Sequence, residues 1–197
     1  AFRRVARAFF ALALPFVFRA APVFASDAAL LSKLAERGTL GVSEVSEIKK
    51  LSARLQNHPK RIVYPEGADP RILQAARQFS TRKLGVPILL GKREKISEIA
   101  ASIDVRLDGM KIIDPVSSDD FGELCRLMKA FPRFKALDDD GIRNLVSNPN
   151  YYSTLMVASG RADAMLAGAT TVSSGALRPI FQIIPLQKGF KTASSIM

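Results

Sequence analysis

Residues 162–184 read ADAMLAGATTVSSGALRPIFQII, and the fold turns on how that stretch is parsed. A short apolar run, Ala164 to Ala167, meets Gly168. Small and hydroxyl-bearing residues follow, including Ser173, Ser174 and Gly175; then come Arg178 and a second apolar run from Ile180. The order is strand, glycine turn, helix start, with Arg178 near the start of the helix. Such a junction gathers backbone N–H groups, small hydroxyls and one cation, which together suit an anion. An ordinary strand-to-helix turn with a surface arginine accounts for the same letters, so the pattern alone leaves both readings open.

Upstream, the chain alternates strands and helices. Arg61 to Tyr64 is a strand ending at Pro65. Asp69-Pro70 opens a helix, since Asp caps and Pro is tolerated at the first helical position. Ile72, Leu73, Ala76 and Phe79 form its apolar face. Val86 to Leu90, between Gly85 and Gly91, reads as a buried strand. Arg93 to Ile103 is helical, and Lys111 to Ile113 is a strand stopped by Asp114-Pro115. Ser117 to Phe131 carries Phe121, Leu124, Leu127, Met128 and Phe131 at helical spacing. Two more helices follow: Asp138 to Val146, with acids in its first turn, and Asn148 to Ala158, closed by Gly160. This alternation predicts an α/β fold, a mostly parallel twisted sheet covered by helices on both faces. Phe190 to Met197 reads as one more strand. A parallel strand needs a covering neighbour, so residues 59–197 are expected to be the front of a domain truncated at its C-terminal side.

Three blocks resemble the phosphate acetyltransferase family (phosphate acetyl/butyryltransferases). They are ADAMLAGA with LRPIFQII and KTASSIM, the stretch IVYPEGADPRILQAA from Ile62 to Ala76, and PILLG from Pro87 to Gly91. The blocks are collinear and together cover about residues 61–197. The resemblance implies the first part of a two-domain, isocitrate-dehydrogenase-like transferase fold. It implies an acyltransferase that moves an acetyl group between coenzyme A and inorganic phosphate. The substrates would be coenzyme A or acetyl-CoA, phosphate and acetyl phosphate, with no metal or other cofactor and a homodimer when full length. Phosphate butyryltransferase and the related domain fused behind malic enzyme are near neighbours. No nicotinamide-binding fingerprint precedes residue 60.

The same resemblance assigns Arg178 as a phosphate or acetyl-phosphate ligand, with Ser173 and Ser174 in the hydroxyl stretch before it. A guanidinium fork suits phosphate better than an ammonium does. The family usually flanks these serines with His and Asp, where this chain has Thr171 and Gly175. A second family arginine lies in an ELRKHKG-like element, blurred here to ELCRLMKAFPRFK at Glu123 to Lys135. Counting back from Ala162 favours Arg133 as its match; the preceding Glu-Leu favours Arg126. We take Arg133, although a solvated helix-end charge describes either one equally well. Asp69 reads as a helix cap and Glu66 as a residue making turn contacts at a strand end, neither of them catalytic. The family's catalytic base and a second Ser-Arg group fall in the back half of the domain, so no catalytic residue is assigned and this chain alone is expected to be inactive.

Composition narrows the partners. The net charge of +11 admits nucleic acid, an anionic membrane or an anionic small molecule. Four of the charges, Arg3, Arg4, Arg7 and Arg19, precede the first acid, Asp27. The rest form no basic block and show no aromatic interleaving, so an anionic substrate accounts for the excess and nucleic acid does not. The single cysteine, Cys125, excludes an internal disulfide, and with the single histidine, His58, it excludes metal sites built on His and Cys clusters. Cys125 lies on an apolar helical stripe as an inert residue, and His58 in a linker.

Residues 1–25 stand apart: arginines, an apolar run from Ala8 to Phe18, then Val23-Phe24-Ala25. A signal peptide, an organelle transit peptide and a stretch translated from a misplaced start all fit. The run is too short to span a bilayer. Residues 26–58 read as a helical lead-in, its second segment at Ser43 to Gln56. The enzyme reading places the protein in the cytoplasm, or in an organelle matrix if the leader is a transit peptide. A non-catalytic exported or membrane-surface basic protein is the rival that rests on the leader.

Overall fold

The computed structural model describes residues 42–186. The leader at 1–25, the lead-in as far as residue 41 and the strand read at Phe190–Met197 lie outside the described residues. Among the described residues the first helix, α1 (Val42–Asn57), leads into the sheet, and the Gln56 side chain donates to the Arg82 carbonyl (3.1 Å). His58 lies exposed between α1 and the first strand.

Four strands, β1 (Lys60–Tyr64), β2 (Gly85–Leu90), β3 (Lys111–Ile113) and β4 (Ala164–Met165), form one parallel sheet in the order β3-β2-β1-β4. Val63 lies beside Ile88 and Tyr64 beside Leu89, so alternate residues face opposite sides. Tyr64 and Leu89 pack with Ile72, Leu73 and Ala76 of α2 (Pro70–Thr81) and with Ile96 and Ala100 of α3 (Arg93–Ser102). Val63, Ile88, Leu90 and Ile113 face α4 (Phe121–Ala130), α5 (Asp139–Ser147), α6 (Pro149–Ala158) and α7 (Ser173–Ile183). Both faces are covered, which is why the strands read as apolar runs rather than alternations.

Capping side chains set the starts of α2, α5 and α6. Asp69 accepts from the Arg71 N–H (2.8 Å) ahead of Pro70 in α2, and Asp138 accepts from the Gly141 N–H (3.0 Å) in α5. Asn148 closes α5 and opens α6, accepting from the Asn150 N–H (2.9 Å) with Pro149 at the first position. Each cap satisfies a donor that the helix cannot. Gly160, at φ +74°, turns the chain out of α6 toward β4.

The predicted strand at Ala164–Ala167 is shorter in the structure. Among the described residues β4 pairs with β1, through Ile62–Ala164 and Val63–Met165, and one further bond runs from the Leu166 N–H to the Val63 carbonyl (3.0 Å). The chain then leaves the sheet at Gly168. The route from β3 through α4, α5 and α6 puts β4 on the far side of β1, so the strand order reverses between β1 and β4. In open α/β sheets the crevice beyond the strand C-termini at this reversal is where ligands bind.

Leu155, fully buried in α6, fills the core between sheet and helices. Leu155→Ala should lower unfolding stability by about 2–5 kcal/mol in urea titrations. Leu51→Ala, at a side chain left 54% exposed on α1, should change it by no more than about 0.5 kcal/mol.

Candidate anion site at the strand-order reversal

Glu66 follows β1 by two residues and reaches across to the loop after β4. Its Oε2 accepts from the N–H groups of Gly168 (3.0 Å) and Ala169 (2.8 Å). Its Oε1 accepts from the N–H groups of Thr170 (2.7 Å) and Thr171 (2.6 Å) and from the Thr170 hydroxyl (2.9 Å). Four successive N–H groups converge on one carboxylate, as in a backbone anion nest. Gly168 sits at φ +110°, a conformation that a residue with a Cβ adopts only under strain. Gly67 is needed for closeness: a Cβ there would lie 2.6 Å from the Leu90 carbonyl oxygen. Partial burial opposes charge on Glu66, but the N–H groups of Thr170, Ala169 and Thr171 outweigh it and hold the carboxyl below its ordinary range.

A second grip acts on the same loop. Arg71 Nη2 donates to the Ala169 carbonyl (2.8 Å), while the guanidinium binds Asp69 through Nε (3.0 Å) and Nη2 (2.8 Å). The hydrogen bond from Arg71 lowers the Asp69 carboxyl against the effect of burial. At the other end of the strand pair, Asp163 accepts from the Arg61 N–H (2.8 Å) and from Arg61 Nε and Nη2 (3.2 Å each), and Arg61 Nη2 also donates to the Gly160 carbonyl (2.8 Å).

Two expectations change here. The N–H groups gathered by the glycine turn, 168–171, serve the protein's own Glu66 rather than an external anion. The carboxylate is covalently held at the mouth of the nest and needs no binding entropy to occupy it. Arg178 lies in the second turn of α7, because the helix begins at Ser173. What remains open to solvent is the start of α7. Val172 precedes it without a side-chain cap, and Ser173 and Ser174 are exposed at its first two positions. The N–H groups of these positions have no intrahelical acceptor.

Ser174, Arg178 and Gln182 recur every four residues and share one helix face. Arg178 is exposed and makes no hydrogen bond or ion pair with another described residue. Gln182 Oε1 accepts from the Tyr151 hydroxyl at the start of α6 (2.6 Å). Burial pushes the Tyr151 phenol up, and the nearby Arg178 charge offsets part of that rise. Thr171 and Gly175, the two departures from the family pattern, face each other: a Cβ on Gly175 would lie 2.8 Å from Thr171 Cγ2.

The upstream arginines are placed elsewhere. Arg126 is exposed on α4 and Arg133 is exposed in the 3₁₀ turn Pro132–Phe134. Neither is hydrogen-bonded to α7. Cys125 is half-buried against the core, and burial raises its thiol, which disfavours the reactive thiolate. Among the described residues no group of three or more His, Cys, Asp or Glu could hold a metal, and no helix is long and apolar enough to cross a membrane.

A parallel α/β domain whose strand order reverses between β1 and β4, with an exposed arginine on the helix that opens there, defines the class. The family model described as "Phosphate acetyl/butaryl transferase" matches residues 46–197, and the chain belongs to that family. It is 32% identical over 146 residues to a phosphate acetyltransferase of Staphylococcus aureus strain Mu50, covering 74% of this chain and 44% of the relative. It is 30% identical over 151 residues to that of Acetivibrio thermocellus, covering 77% and 45%. The fold resembles a solved EutD phosphotransacetylase from Staphylococcus aureus, with a TM-score of 0.65, 29% identity, and coverage of 73% of this chain and 44% of that one. The chain thus spans somewhat under half the length of these relatives.

The Glu66 contacts generate a pH dependence. A carboxyl titrating lower in the folded chain than in the unfolded one contributes fully above the unfolded value, about 4.3. That contribution disappears as pH falls through the folded value. Glu66→Gln should therefore lower stability by about 1–3 kcal/mol at pH 7. It should also flatten the acid limb of the stability curve relative to wild type. Urea titrations of both proteins from pH 7 down to pH 3 measure this.

Proposed function

We propose that this chain supplies the phosphate-binding part of a phosphate acetyltransferase, which exchanges an acetyl group between coenzyme A and inorganic phosphate. The observation that carries the reading is Arg178: an exposed guanidinium with no protein partner among the described residues, on the helix that opens at the strand-order reversal. Family membership and the names of the relatives support acetyl transfer as the reaction.

In this reading the phosphoryl group of acetyl phosphate, or free phosphate, sits against the first turns of α7. The Ser173 and Ser174 N–H groups and hydroxyls donate to it, and Arg178 reaches it from the next turn. Fixed donors of this kind stabilise the charge that builds on transferring oxygens without reorganising as they do so. In the direction that makes acetyl-CoA, a base takes the thiol proton and the thiolate attacks the acetyl carbonyl; phosphate leaves with the bonding electrons. The carboxylates nearest the turn are committed, Glu66 to backbone N–H groups and Asp69 to Arg71 and the start of α2. We assign the base to residues outside 42–186. The enzyme acts where coenzyme A is available, in the cytoplasm or an organelle matrix.

Arg178→Ala should weaken phosphate binding by about 10- to 100-fold, the loss expected for one charged hydrogen bond. Arg178→Lys should recover only part of it, since a point charge does not reproduce the fork. Neither should move the melting temperature, because the side chain is exposed and unpaired. Phosphate titrations followed by amide NMR, with melting curves in parallel, test this; unchanged affinity in Arg178→Ala would show that the site is elsewhere.

A further inference from the structure

The reach of Glu66 exceeds what a turn contact needs. It binds residues 102 to 105 positions away, at the loop that leads straight into α7. That loop is held from both sides: the carboxylate takes its N–H groups and Arg71 takes the Ala169 carbonyl. Both grips come from one short stretch, residues 66–71, whose backbone is itself fixed by the Asp69 cap and the bond from the Asp69 N–H to the Glu66 carbonyl (3.0 Å). Only Val172 separates the last gripped N–H, that of Thr171, from the first residue of α7. Two residues of chain span at most about 7 Å, so the grip leaves the start of α7 little freedom. The Gly175 N–H to Val172 carbonyl bond (2.8 Å) closes the first turn directly on this anchor.

We infer that Glu66 is the positioning residue of the anion site: by filling the 168–171 nest it fixes the start of α7, so that Ser173, Ser174 and Arg178 present their donors to phosphate together. The inference rests on the function proposed above. It adds that Glu66 acts through the loop and never touches the ligand. It also assigns Glu66 a selective effect. A permanently resident carboxylate closes the nest to phosphate and leaves the start of α7 as the place where the anion lands. Protonating or removing the carboxylate leaves four N–H groups without an acceptor, and the loop then relaxes toward water or captures an anion of its own.

The test uses the whole chain, as wild type, Glu66→Gln and Glu66→Ala, with inorganic phosphate as the probe. Amide hydrogen exchange reports the grip at residues 168–171, and the amides of Leu89 and Leu155 report whether the core is folded. Phosphate titration followed at the Ser173, Ser174 and Arg178 amides reports the site. Glu66→Gln should keep core protection, lose protection at 168–171, and bind phosphate at 173–178 about tenfold more weakly or worse. In Glu66→Ala, sodium formate should refill the nest, restoring both the loop protection and part of the phosphate affinity. Rescue by a free carboxylate is a result that a general loss of stability does not give. Loss of loop protection with unchanged phosphate affinity would overturn the inference while leaving the phosphate site standing. Unchanged loop protection in Glu66→Gln would overturn it as well. If wild type shows no phosphate response at 173–178, the site reading falls and takes this inference with it, whatever the loop does.

Discussion

One carboxylate ties the two halves of the described chain together. Glu66 leaves the end of β1 and is bound by the loop that follows β4, so the two strands flanking the reversal cannot separate at their C-terminal ends without stripping five hydrogen bonds from a charged group. Bonds of this kind are the strong class, because the acceptor is ionised. At the opposite ends of the same strands, Arg61 and Asp163 make a forked pair backed by reciprocal main-chain bonds, the Arg61 N–H to the Asp163 carboxylate and the Asp163 N–H to the Arg61 carbonyl. β4 contributes only two residues to the sheet, and these two clasps explain how so short a strand holds its register.

The elements of the fold were legible because burial on both faces writes apolar runs into the strands and amphipathic stripes into the helices. Asp69-Pro70 and Asn148-Pro149 marked helix starts correctly, since a capping oxygen and a residue lacking an N–H solve the same local problem. Strand order was beyond such reasoning. Nothing in the letters of β4 says that it pairs with β1 rather than β3; that follows from three helices carrying the chain across the sheet. The length of β4 was overread for a related reason. Leu166 gives the sheet one last bond, to the Val63 carbonyl, and Ala167 is partly covered without pairing in it.

The candidate site was legible only in its solvent-facing part. Arg178, Ser173 and Ser174 were found from a small-residue turn and a family resemblance, and the structure places all three exposed on α7. The occupant of the nest was missed. A glutamate after a strand carries no local mark of a partner a hundred residues away, and a sequence window sees only neighbours. The signal lay in the conjunction of two collinear blocks, PEGADPR and AGATT: they meet in space, Glu66 and Arg71 on one side and residues 168–171 on the other. Spacing from Ala162 and the preceding Glu-Leu pointed to different arginines; Arg133 is exposed in the 3₁₀ turn Pro132–Phe134 and Arg126 is exposed on α4, with neither hydrogen-bonded to α7.

The central position of β1 has a further consequence, for the order in which the molecule can assemble. Its first neighbour, β2, follows after about twenty residues, but the other edge waits for β4, a hundred residues later. At a synthesis rate of about 5–20 residues per second, that edge stays open for roughly 5–20 s while the chain is being made. Contacts of such sequence separation are slow to close and leave unpaired strand surface exposed meanwhile. The two clasps at the ends of β1 therefore form after the β1–β2 pairing is available. A nascent chain already holding its β1–β2–β3 half-sheet still presents an open strand edge to any chaperone or to another copy of itself.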